Sequence, residues 1–279
     1  MTVFSINEDR PGVLITGCSS GIGEATAIRF SQEGYRVYAT MRNPDGMSEP
    51  LKEALKGDEG HKVLALDVND SVSIKRAIAE VQEESGRIDV LINNAGISSI
   101  SSIEEIEMEE AKAVFETNVF GVLRVTQEVI RGMRERRSGT VVNVSSVAGR
   151  LVTAGHGIYA ASKHALEAIS ESLAIEINQF GVRVILIEPG FISTAILSKA
   201  DSIILEDTPY TEHLTRLVSM YEEAQLTADS PDAVAGCIVN ALNDSSHGFR
   251  YVVGSGAQRS IDERSLLTDQ EWISGDPLE

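Results

Sequence analysis

Seven short apolar runs, most of them separated by longer segments of helical period, limit what this chain can fold into more than any other feature. They are Val13–Thr16, Arg36–Met41, Lys62–Val68, Asp89–Asn93, Thr140–Ser145, Arg183–Glu188 and Phe249–Val253. Several are apolar at consecutive positions, as strands covered on both faces are, whereas half-exposed strands alternate. Strands that alternate with helices are joined by crossovers, so they run parallel and the helices fall on both sides. The expected fold class is α/β: a doubly wound, seven-stranded parallel sheet with helices on both faces. The helical segments read Ile22–Glu33, Ser71–Glu84, Met108–Arg136 and Gly157–Phe180.

One domain over 1–279 accommodates this pattern, and no repeat or low-complexity tract divides it. Between about 194 and 228 the periodicity loosens into charge, Pro209 and an amphipathic stretch around His213–Glu223. We expect this insertion to be a substrate lid over the carboxyl edge of the sheet. A polar, acidic tail from about 257 to 279 is assigned no role. The net charge of −18 repels nucleic-acid phosphates and anionic membranes. No apolar run approaches the roughly 20 residues that a membrane helix needs, and the first residues do not resemble a signal peptide. Two distant cysteines, Cys18 and Cys237, read as small buried residues of a reducing compartment. The expectation is a cytoplasmic protein with neither nucleic acid nor membrane as partner.

Directly after the first run stands Thr16-Gly17-Cys18-Ser19-Ser20-Gly21-Ile22-Gly23, which opens a helix. Backbone approaches a pyrophosphate closely where no Cβ intervenes, and free amide hydrogens at a helix start attract the anion. A glycine-rich loop alone can be a plain tight turn; between a strand and a helix it reads as a dinucleotide site. The second run ends Thr40-Met41-Arg42-Asn43, where an acid would bind the free hydroxyls of an NAD ribose. No carboxylate occurs there before Asp45, and Arg42 can pair with a 2′-phosphate, which favours NADP(H). The plainer alternative for Arg42 is a solvated surface charge.

Tyr159-Ala160-Ala161-Ser162-Lys163 falls in a helical segment, so Tyr159 and Lys163 share a face. A free phenol titrates near ~10, which suits proton transfer poorly at neutral pH, and an adjacent ammonium and oxidised nicotinamide lower that value. Alone, this spacing is common on helix surfaces. Ser146, however, directly follows the fifth run, at the strand end where ligands bind in such sheets, and its hydroxyl can orient a substrate oxygen towards the phenol. Asn94-Ala95-Gly96 ends the fourth run, although its glycine could be a simple turn. Asn118 falls inside the Met108–Arg136 segment, an unfavourable place unless its side chain has a task.

In this combination the chain resembles the short-chain dehydrogenase/reductase family, in its single-domain branch. TGCSSGIG, Asp67-Val68, NNAG, NVFG, Ser146, Tyr159-x-x-x-Lys163 and Pro189-Gly190 with Thr194 match in order and spacing over about residues 10–195. The resemblance implies a Rossmann arrangement and an NADP-dependent oxidoreductase acting on CH–OH donors. Tyr159 would be the catalytic acid/base, and Lys163 would lower its pKa and hold the nicotinamide ribose. Ser146 would position the substrate carbonyl, and Asn118 would hold a water linking Lys163 to solvent. Asp67 and Val68 would contact adenine, Asn94 the adjoining ribose, and Ile192 and Thr194 the carboxamide. The implied cofactor set also takes in Gly17, Ser19, Ser20, Gly21, Ile22, Gly23, Ala95, Gly96, Pro189 and Gly190.

Within the family, TGCSSGIG, YATMRNP and RYVVG are similar to steroid and retinol dehydrogenases and their bacterial relatives. That similarity has Ser20 and Arg42 share the 2′-phosphate and favours a lipophilic small-molecule ketone, aldehyde or alcohol. A 3-oxoacyl-type or secondary-metabolite ketoreductase stays open. So does a non-catalytic NADP(H)-sensing or scaffold protein, although sensing needs no phenol acid. The family resemblance also implies a homodimer or homotetramer through Met108–Arg136 and Gly157–Phe180.

Pocket walls are expected from Gly149–Gly157, Phe191 and the 194–227 insertion. Ile196, Leu197, Ile203, Ile204, Leu205, Leu217 and Met220 either face a hydrophobic substrate or pack the lid; the sequence leaves both open. His156, His164 and His213 lack metal-ligand spacing and are expected to be solvated or packing residues, with no metal.

Overall fold

Strands β1 (Gly12–Thr16), β2 (Arg36–Met41), β3 (Lys62–Ala65), β4 (Val90–Asn93), β5 (Gly139–Val144), β6 (Val182–Pro189) and β7 (Arg250–Val253) form one sheet in the order β3-β2-β1-β4-β5-β6-β7. Every pairing is parallel; Val13, for example, lies opposite Val37 on one side and Val90 on the other. This computed structural model describes residues 10–58, 60–85, 87–194 and 208–274. Ten α-helices are found among the described residues: α1 (Gly21–Gln32), α2 (Glu49–Leu55), α3 (Ser71–Ser85), α4 (Met108–Phe115), α5 (Val122–Arg136), α6 (Gly157–Ile177), α7 (Thr211–Gln225), α8 (Pro231–Asn243), α9 (Ala257–Leu266) and α10 (Asp269–Ser274).

Successive strand residues point to opposite faces, and the core divides accordingly. Val13, Ile15, Val37 and Ala39 pack with Ala27 and Phe30 of α1 and Val234 and Ile238 of α8. Leu14, Tyr38 and Leu91 pack on the other face with Ile74 and Ile78 of α3 and Val125, Val129 and Met133 of α5. Both faces being covered, the strands read as apolar runs rather than alternations. A polar ladder fixes the centre of the sheet. Asn93 Nδ2 donates to Asn143 Oδ1 at 2.9 Å and to Thr126 Oγ1 at 3.0 Å, and Asn143 Nδ2 donates to Ser170 Oγ at 2.8 Å. It ties β4 and β5 to α5 and α6, directly behind the carboxyl edge.

The strand order reverses at β1, which has β2 on one side and β4 on the other. Crossovers leave β1 and β4 in opposite directions, so a crevice opens at their carboxyl ends.

Two expectations need correction. The third run leaves the sheet at Ala65 instead of continuing to Val68. Asp67 Oδ1 accepts from Asn69 N at 2.9 Å and Asp67 N donates to Ser73 Oγ at 3.1 Å, which turns the chain towards α3. The Met108–Arg136 segment is not one helix: a π-helical turn, Glu116–Gly121, separates α4 from α5. The polar tail folds as α9 and α10, with Trp272 Nε1 donating to Val152 O at 3.2 Å and the Arg264 guanidinium over its ring. Of the proposed lid, the described part carries α7, whose Leu214 and Leu217 pack on Ile100. Leu217 is thus a packing residue, whereas Ile196, Leu197, Ile203, Ile204 and Leu205 lie outside the described residues. No helix among the described residues is long and apolar enough to cross a membrane.

Candidate active site

A cleft of about 380 Å³ runs along the carboxyl edge of the sheet. The glycine loop after β1 forms one wall. Gly17 and Gly21 have φ of +75° and +64°, a region that strains residues with a Cβ. A Cβ on Gly23 would stand 2.3 Å from Gly17 O and 2.4 Å from Asn94 Nδ2, so the third glycine lets α1 seat against the loop. The α1 N-terminus therefore faces the cleft, with Ser19 and Ser20 exposed beside it. Ser20 occupies the N-cap position yet makes no capping bond, which leaves its hydroxyl for a ligand.

Thr16 holds this wall in place, because its Oγ1 accepts from Asn94 N at 3.0 Å and Ala95 N at 3.1 Å. Asn94 Nδ2 donates to Thr16 O at 2.9 Å and Gly17 O at 3.2 Å, so its amide nitrogen is spent on the loop and its Oδ1 stays available. Arg42, Asp67 and Val68 line the end of the cleft beyond β2 and β3. Arg42 is exposed and has no ion pair among the described residues. Ile22, Gly96, Pro189, Gly190, Ile192 and Thr194 also line the cleft. Gly190 N donates to Val253 O at 2.8 Å, which fixes the turn out of β6. Every residue read from the sequence as cofactor-binding except Gly23 is on this lining, and Gly23 lies beneath it.

Ser146 lies two residues beyond β5, and Tyr159 and Lys163 of α6 line the same cleft. Burial pushes the Tyr159 phenol up to about 12, and the Ser146 hydroxyl partly offsets this. Lys163 Nζ lies 5.7 Å from the Tyr159 ring centroid and donates to Val144 O at 2.9 Å. Burial lowers Lys163 to about 8, against the opposing pull of Glu167, which leaves it largely protonated at pH 7. In the protein alone burial thus outweighs any lowering of the phenol by Lys163.

Asn118 lies in the π-helical turn, 1 % exposed. Its Oδ1 accepts from Ile97 N at 2.9 Å, and its Nδ2 donates to Ile97 O at 2.9 Å and Ser162 Oγ at 3.0 Å. The side chain is a clamp between the loop after β4 and α6, with both amide hydrogens committed.

The substrate end of the cleft is lined by Leu151, Thr153, Phe191, Met220 and three residues that the sequence reading did not place together: Ser98, His156 and Tyr221. His164 and His213 are exposed as expected, but His156 is buried. Its ring stacks on Tyr159 with centroids 4.5 Å apart and planes 12° apart. Its Nε2 lies 2.8 Å from Ser98 Oγ and its Nδ1 2.8 Å from Tyr221 OH. Burial lowers this imidazole to about 4, so it is neutral at pH 7. Its position three residues before Tyr159, at the N-cap of α6, was the available signal. No group of three or more potential metal ligands occurs among the described residues.

The family model for short chain dehydrogenase matches residues 12–203. The 3-ketodihydrosphingosine reductase of Bacteroides thetaiotaomicron is 33% identical over 244 residues, covering 87% of each chain. The 17-beta-hydroxysteroid dehydrogenase type 1 of Mus musculus is 38% identical over 251 residues, covering 86% of this chain and 72% of its own. A solved short-chain dehydrogenase from Streptomyces avermitilis superposes with a TM-score of 0.81 at 31% identity, covering 97% of this chain and 100% of that one.

Proposed function

The chain belongs to the short chain dehydrogenase family, and we propose that it is an NADP(H)-dependent oxidoreductase interconverting a ketone or aldehyde and an alcohol on a lipophilic small molecule. The observation that carries the reading is the convergence of the Tyr159 phenol, the Ser146 hydroxyl and Lys163 on the cleft beside the glycine loop. The wall without side chains, the free Ser20 hydroxyl and the α1 N-terminus suit a pyrophosphate, and unpaired Arg42 suits a 2′-phosphate. A nicotinamide dinucleotide held there supplies or takes up the hydride.

The remaining chemistry falls to the chain. In the reductive direction Ser146 and Tyr159 hold the substrate oxygen, and the phenol, protonated at neutral pH, gives its proton to that oxygen as negative charge develops. In the oxidative direction the phenolate must form, and Lys163 helps once the cleft holds further positive charge. Asn118 acts as a positioning residue, since its side chain secures the loop at Ile97 against α6. Phe191 and Met220 make the substrate end apolar, and the two relatives are named for 3-ketodihydrosphingosine and a 17-beta-hydroxysteroid. Exposed Met108, Phe120 and Ile175 support assembly as a homodimer or homotetramer through α4, α5 and α6. Free Cys18 and Cys237 suit the cytoplasm.

Tyr159→Phe tests the mechanism. Turnover of lipophilic ketones with NADPH is expected to fall by at least about 100-fold, while NADPH binding measured by calorimetry persists. Undiminished turnover would refute the acid role.

A further inference from the structure

Ser98, His156 and Tyr221 meet at the substrate end of the cleft, and their hydrogens do not balance. Ser98 Oγ and Tyr221 OH each bond one ring nitrogen of His156, both at 2.8 Å, and neither hydroxyl has another hydrogen-bond partner among the described residues. A neutral imidazole brings one N–H and each hydroxyl one O–H, so three hydrogens serve two bonds. One O–H, on Ser98 or on Tyr221, is left over. Protonating His156 would free both hydroxyls, so the surplus holds in either state. Both residues are partly exposed and line the cleft, whereas His156 is 6 % exposed behind them.

A surplus donor on the wall of a cleft is met by water until a ligand oxygen takes that water's place. We propose that Ser98, His156 and Tyr221 form a specificity site for a second, uncharged oxygen of the substrate, a hydroxyl or carbonyl other than the reacting one. The inference rests on the carbonyl–alcohol reading above. The surroundings decide for an uncharged oxygen. Phe191 packs edge-on against Tyr221 at 5.4 Å, and Ile100, Leu214 and Leu217 form the cluster against which Tyr221 and Met220 pack. Among the described residues, the cations on the cleft lining are Arg42, at its other end, and Lys163, whose ammonium lies at the Tyr159 ring and donates to Val144 O. A carboxylate here would be buried without a counter-ion. The stack of His156 on Tyr159 places this donor next to the reacting centre, so the preferred substrate is a lipophilic hydroxy ketone or diketone.

The test compares 2-decalone and nonan-2-one with sets of their hydroxy-ketone isomers, using NADPH and the full-length protein. For at least one isomer in each set, kcat/KM is expected to exceed that of the parent ketone by about 10-fold, the discrimination of one hydrogen bond. In the Ser98→Ala/Tyr221→Phe double variant this ratio falls to about 1, whatever loss the two substrates share. If the double variant lowers both substrates equally and keeps the ratio, the trio merely braces α7 and the proposal is overturned. Turnover of all ketones by the wild type with no preference also overturns it, while the carbonyl–alcohol reading stands. No turnover of any compound overturns both.

Discussion

His156 shows how one buried side chain couples the site to stability. Its ordinary value of 6.5 falls to about 4 on folding, because burial disfavours the charged imidazolium. Between those values the unfolded chain binds a proton here that the folded chain does not, so stability falls as pH falls. The contribution is complete above about pH 6.5 and is lost towards pH 4, amounting to about 3 kcal/mol. His156→Gln keeps a donor and an acceptor but cannot titrate. Urea denaturation at pH 7 and pH 4.5 is expected to show the wild type losing more stability than the variant. Equal losses would mean that the folded protein protonates His156 freely. The sequence made Tyr159 and Lys163 legible because their relation is local, one helical turn apart. It could not reveal His156's surroundings, since Ser98 and Tyr221 lie 58 and 65 residues away and meet it only through the loop after β4 and through α7.

The same limit separates the elements that could be read from those that could not. Strands buried on both faces announce themselves as apolar runs, and all seven runs proved to be strands, with small shifts at their ends. A π turn has no compositional mark, because it changes the hydrogen-bond step and not the apolar stripe, so Met108–Arg136 read as one helix. Asn118 was the visible anomaly, a poor helix former exactly where the structure widens the helix. α9 and α10 escaped notice because their faces are mostly polar; Ala257 and Ile261 are the buried residues of α9. The π turn also carries a prediction. Asn118→Leu removes three hydrogen bonds and leaves half-buried Ile97 N and Ile97 O without their partner, while Ser162 Oγ keeps only its bond to Tyr159 O. The expected cost in urea denaturation is about 3 kcal/mol or more, with a fall in turnover as the loop at Ile97 loosens. A loss below about 1 kcal/mol would show that the turn holds its shape without the amide.

At the scale of the whole molecule, a chain of net charge −18 must capture a ligand that is itself anionic. The field of the protein opposes the encounter, so attraction must come from groups at the cleft. Among the described residues these are the α1 N-terminus, Lys163 and Arg42, and of the two cationic side chains Arg42 is the exposed one, at the rim beyond β2. On the proposed reading, the charge that would discriminate for a 2′-phosphate is the Arg42 guanidinium, and thermal stability reports it. A ligand at about 100 times its Kd adds about 2.7 kcal/mol to the folded state, which for a chain of this size raises Tm by roughly 5–10 °C. NADP is expected to give that shift, and NAD at the same concentration a smaller one. In Arg42→Asp the new carboxylate repels the phosphate and can bind the free ribose hydroxyls of NAD. A ten-fold loss of affinity already halves the NADP shift, so in the variant NAD should match or overtake NADP. If wild type and variant show the same ratio of shifts, the 2′-phosphate is not read at Arg42, and the preference for NADP falls with it.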